Sequence, residues 1–126
     1  MWICLNNAFV SIIEDYLDSR YVVVRGRRID DVKNFVGSGY EITQTDNRDY
    51  RFRAIVSKTN LQKMLADCAN KITYRNFKDS VEDFDLKYFY CEVWSSGVRN
   101  LDPAWLERNN INYREDPEVY QPRQID

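Results

Sequence analysis

Four arginines stand in two alternating pairs, Arg25 and Arg27 in Tyr21-Val-Val-Val-Arg-Gly-Arg-Arg28, and Arg51 and Arg53 in Tyr50-Arg-Phe-Arg-Ala-Ile-Val56. Each carries a rigid fork of N–H donors that matches the geometry of a carboxylate or a phosphate. Both stretches read as β-strands, whose side chains alternate between faces, so each pair projects from one face. Four such forks on one sheet face would make an anion-docking surface. The same residues also admit a purely structural role, paired with strand neighbours such as Glu41, each exposed pair contributing about 0–1 kcal/mol. Tyr50 and Phe52 fall on the opposite strand face. That assigns them to the core and counts against a base-stacking platform.

Other chemistry is sparse. The chain has no histidine, which removes Ser-His-Asp and Cys-His catalysis and the usual zinc sites. Cys4, Cys68 and Cys91 are scattered, form no C-x-x-C pair, and suit reduced thiols in a cytoplasmic protein. Glu82, Asp83, Asp85 and Lys87 have the residue types of a metal-dependent nuclease, but acidic residues are also what a helix start calls for. Gly37-Ser-Gly39 lacks the length and the following lysine of a phosphate-binding loop and reads as a helix stop. Gly26 marks a bulge or a close backbone approach. No catalytic residue, metal ligand or cofactor is therefore assigned, and an enzyme is not expected.

The elements that would position the arginines follow from the hydrophobic pattern. Trp2 to Ile13 reads as a strand with a bulge or a bend at Asn6-Asn7, and Tyr21 to Arg28 returns beside it. Asp30 and Asp31 open a short helix through Val32, Phe35 and Val36, which Gly37 closes. Tyr40 to Thr45 and Tyr50 to Ser57 form a second hairpin. Leu61, Met64, Leu65, Cys68, Ala69 and Ile72 recur at helical spacing behind a cap at Ser57, Thr59 or Asn60. The order strand, strand, helix is thus written twice, predicting an α+β ββαββα core with a four-stranded antiparallel sheet and helices on one face.

A third helix is expected from Ser80 to about Ser96, with Asp83 in its capping box. Leu86, Phe89, Tyr90 and Val93 mark one side of it, and Val81, Phe84, Tyr88 and Cys91 mark another, so that one side needs further cover. The cover would be the C-terminal segment, another protein, or a second copy of the chain in a homodimer. Residues 1–98 are expected to form a single domain, and residues 99–126 an extended arm anchored by Trp105, Leu106, Ile111 and Tyr113. The chain's 126 residues suit one core, and its net charge of −2 offers no global attraction for nucleic acid. No basic-then-apolar leader and no membrane span are evident near the N-terminus.

Asn7-Ala-Phe-Val-Ser-Ile-Ile13, Val24-Arg-Gly-Arg-Arg28, Asp49-Tyr-Arg-Phe-Arg-Ala54 and Asn76-Phe-Lys-Asp-Ser-Val81 together resemble a family of short, uncharacterised bacterial and prophage proteins. The similarity spans about residues 1 to 98. Members typically begin with a Trp- or Phe-containing strand and finish with an aromatic helix like Tyr88 to Trp94. The resemblance implies a bacterial or phage origin and carries no activity or site residue. The expected function is a non-catalytic interaction protein that binds a host protein or protein complex, as an anti-CRISPR-like phage inhibitor of host defence would. The alternative is a nucleotide or nucleic-acid binder using Arg25, Arg27, Arg51 and Arg53.

Overall fold

Asn6 and Asn7, expected to bend one long strand, instead reverse the chain. In the computed structural model, which describes residues 1–110, β1 (Trp2–Leu5) and β2 (Ala8–Glu14) form a hairpin whose last pair is Leu5 with Ala8. The sheet therefore has five strands where four were expected, and the elements up to residue 74 run βββαββα. The remaining strands are β3 (Tyr21–Gly26), β4 (Thr43–Gln44) and β5 (Phe52–Ser57). Their order across the sheet is β1-β2-β3-β5-β4, all antiparallel. The chain divides into two compact units, Met1–Tyr74 and a second that begins at Arg75.

In the first unit, α1 (Ile29–Val36) follows β3, and α2 (Lys58–Asn70) follows β5. One sheet face carries Val10, Ile12, Val22, Val24, Phe52, Ala54 and Val56, which form the core with Val32, Phe35 and Val36 of α1 and Leu61 of α2. Each large apolar side chain so buried contributes about 1.5–3 kcal/mol. Gly26 permits the close approach of α1: a Cβ there would lie 2.9 Å from Val32 Cγ2. At the start of α1 the buried Asp31 carboxylate accepts two hydrogen bonds from Arg28, 2.7 Å from Nη2 and 3.1 Å from Nε. Gly37 ends the helix at φ 77°, its N–H donating to Lys33 O.

Ser57 caps α2, its hydroxyl accepting from the Asn60 N–H at 3.1 Å. The apolar stripe of this helix is narrower than its spacing implies. Only Leu61 is buried, while Met64, Leu65 and Cys68 are partly covered. Ala69 is exposed and Ile72 lies beyond the helix end, 62% exposed.

In the second unit a 3₁₀ turn, Lys78–Ser80, precedes α3 (Phe84–Leu101) and α4 (Pro103–Arg108). The third helix thus starts later than expected. Ser80 closes the 3₁₀ turn, and Asp83 is the N-cap itself, its carboxylate accepting from Leu86 N–H at 2.9 Å. The helix also continues through Gly97 and crosses the expected limit at residue 98. Among the described residues no helix is long and apolar enough to cross a membrane.

Candidate functional site

The register of the sheet sets a row of side chains across the face turned away from the core. Thr43 of β4 pairs with Arg53 of β5, Arg53 with Arg25 of β3, Arg25 with Ser11 of β2, and Ser11 with Trp2 of β1. Two residues along, on the same face, runs a second row in which Ile55 pairs with Val23 and Val23 with Ile13. Val22, Val24 and Val56 fill the opposite face with the core, so both rows lie on the sheet face turned away from that core, where Ile13 and Ile55 are exposed and Ser11 is buried.

Arg25 and Arg53 are consequently like charges directly opposite each other, a destabilising arrangement in a sheet. Arg25 Nη2 donates to Ser11 Oγ at 2.6 Å. Among the described residues no carboxylate lies within ion-pair distance of Arg25, Arg27 or Arg53. The Nε atoms of Arg25 and Arg53 are buried without a hydrogen-bond partner among those residues, at a cost of about 1–3 kcal/mol each. Burial lowers the pKa of the Arg53 guanidinium from its ordinary value, and the positive charges of Arg25 and Arg48 add to that, with Asp49 opposing. Glu41, the neighbour expected to pair with these arginines, forms no ion pair with them.

Tyr50 is buried, as expected, but its ring lies against the arginines and outside the main core cluster. It lies ahead of the first residue of β5, so strand alternation does not govern it, and its ring is 5% exposed beneath two guanidiniums. The Cζ atoms stand 4.8 Å from the ring centroid for Arg25 and 4.2 Å for Arg27. Phe52 does enter the core. Arg27 lies just past the end of β3 and is held by this ring. Arg51 departs from the group: it also precedes β5, and its guanidinium sits 5.2 Å from the Phe52 ring centroid and 3.9 Å from Asp46 Oδ1. The expected face of four arginines is thus a cluster of three, Arg25, Arg27 and Arg53, with Ser11 and Tyr50. Alternation along Ala8–Glu14 could have found Ser11, which pairs with Arg25.

On α3 the structure separates the residues expected to share an interaction side. Phe84 is 78% and Tyr88 45% exposed, Cys91 is half-buried, and Val81 is buried ahead of the helix. Leu86 and Tyr90 take the buried side, with the Phe77 and Phe89 rings 5.1 and 5.5 Å from Tyr90. Within the second unit Trp105 packs edge-on against Trp94 at 5.6 Å, and Lys78 Nζ lies 4.7 Å from the Trp94 ring centroid. Trp105 and Leu106 are half-buried, whereas Ile111 and Tyr113 lie outside the described residues.

A cleft of about 210 Å³ opens on the helical side of the first unit, between the Asn6-Asn7 turn, the end of α1, and Met64, Asp67, Cys68 and Lys71. Burial raises the pKa of the Cys68 thiol from its ordinary value, leaving it a weaker nucleophile at neutral pH. Asp83, one of the nuclease-like acids, is engaged as a helix cap, and Lys87 stands 4.0 Å from Asp79. Among the described residues no group of three His, Cys, Asp or Glu side chains could hold a metal ion.

No protein-family model, curated protein or solved structure matches this chain.

Proposed function

We propose that this chain is a non-catalytic protein-interaction module that docks a partner protein on the sheet face turned away from its core. The observation that carries the reading is the row Ile13, Val23 and Ile55 lying directly beside arginines that have no carboxylate within ion-pair distance among the described residues. Ile13 is 43% and Ile55 58% exposed, and Trp2, at the far end of the arginine row, is 73% exposed. A sheet face with both an apolar strip and a cationic strip has the composition of an interface core next to a charged rim. A phage inhibitor of a host defence complex would use such a module.

The test is capture from the native host. The full chain should retain a stoichiometric protein partner, identified by mass spectrometry, and Ile55→Asp should lose it while keeping the parent's melting temperature, since Ile55 is exposed. Co-purified nucleic acid in place of protein, capture of no partner, or capture indifferent to Ile55→Asp would overturn the reading. Self-capture with a dimer in light scattering would identify the partner as a second copy of the chain.

A further inference from the structure

We infer that Arg25 and Arg27, set by Ser11 and Tyr50, and Arg53, paired opposite Arg25, form a carboxylate-recognition site for an extended acidic and apolar segment of the partner; this rests on the reading above. Three features carry it. First, the guanidiniums of Arg25 and Arg53 issue from directly paired residues, whose Cα atoms in an antiparallel sheet stand about 4.5–5.5 Å apart. One carboxylate, with two acceptor oxygens, can bridge both forks and cancel the repulsion between them. Second, Ser11 and Tyr50 are buried at 1% and 5% exposure and hold Arg25 from two directions, which sets the fork before the ligand arrives.

Third, the neighbouring row selects the kind of anion. Ile55, Val23 and Ile13 lie two residues along from Arg53, Arg25 and Ser11, a displacement of about 6.5–7 Å. Two side chains on one face of an extended peptide are separated by the same distance, so an acidic residue over the arginines places its second neighbour over the isoleucines. A nucleic-acid backbone has phosphate for the first row and no aliphatic side chain to set on the second. Tyr50, buried and already under two guanidiniums, offers no surface for a base to stack on. The site therefore favours protein carboxylate over phosphate.

The experiment uses the full chain, labelled with ¹⁵N, titrated with a peptide that repeats Glu-Ser-Leu-Ser, and in parallel with inorganic phosphate and a single-stranded thymidine oligonucleotide. The peptide should shift the amides of Arg25, Arg53 and Ile55 saturably. Affinity should fall at least tenfold when glutamine replaces its glutamates, and at least tenfold in the protein variant Arg25→Gln with Arg53→Gln. Alanine in place of leucine should weaken it severalfold. Tighter binding of the oligonucleotide or of phosphate would overturn the proposal, as would an unaffected double variant or no saturable shift with any probe. If the double variant fails to fold, Arg53→Met alone replaces it, with the same tenfold criterion. Peptide failure with host capture intact and sensitive to Ile55→Asp sinks this inference alone; loss of capture sinks the reading beneath it.

Discussion

Replacing Arg53 by methionine keeps much of the aliphatic stem while removing a charge that faces Arg25 and a buried Nε without a partner. Arg53→Met should therefore stabilise the isolated protein by about 1 kcal/mol, read as a raised midpoint in urea. A residue retained only for packing or surface pairing would give the opposite sign. Gly26→Ala should destabilise by about 1–3 kcal/mol, because the added methyl meets the buried Val32 side chain at 2.9 Å. In the loop between β2 and β3, the Arg20 fork holds the Asp18 carboxyl down at about 2, from an ordinary 3.8. The depressed value means that whatever stability this pair gives is present above pH 3.8 and lost as pH falls towards 2. A carboxyl titration by NMR should show Asp18 below the other aspartates, and Arg20→Ala should return it to the ordinary range.

At the scale of elements, α3 divides into a buried side and an exposed one, and two substitutions a residue or two apart should separate them. Leu86→Asp places a charge where the side chain is 4% exposed and should cost about 3 kcal/mol or more, whereas Phe84→Asp, at a position 78% exposed, should leave the melting temperature nearly unchanged. How far such elements were legible depended on which physical signal they use. α1 was readable because Asp30, Asp31 and Gly37 mark its ends, and the N-terminus of α2 because Ser57 caps it. The β1–β2 hairpin was not, since Asn-Asn lacks the glycine that flags a tight hairpin and neither residue takes a positive φ. Apolar spacing also promised more burial on α2 than exists, because periodicity reports which face can pack and not how much sheet lies beneath it. For the site, alternation located Arg25 and Arg53, but Arg27, Tyr50 and Arg51 lie just outside the strands, where alternation ceases to apply.

For the molecule as a whole, every residue of the main core cluster falls between Val10 and Leu61, within the first compact unit. A fragment of residues 1–74 should accordingly show a cooperative thermal transition with mixed helix and strand circular dichroism, although so small a domain will be of modest stability. The sheet order has a kinetic consequence as well. β1 with β2, β2 with β3, and β4 with β5 are neighbours in sequence, so β3 with β5 is the one strand pairing that must close across an intervening helix and strand. Closing such a loop is the slow step that topology imposes on folding. Arg25 and Arg53 face each other within that pairing. Their repulsion should therefore act on the rate of folding as well as on the folded state. Refolding of the parent in a stopped-flow experiment should quicken as salt screens the two charges, and Arg53→Met should refold faster at low salt with little further response.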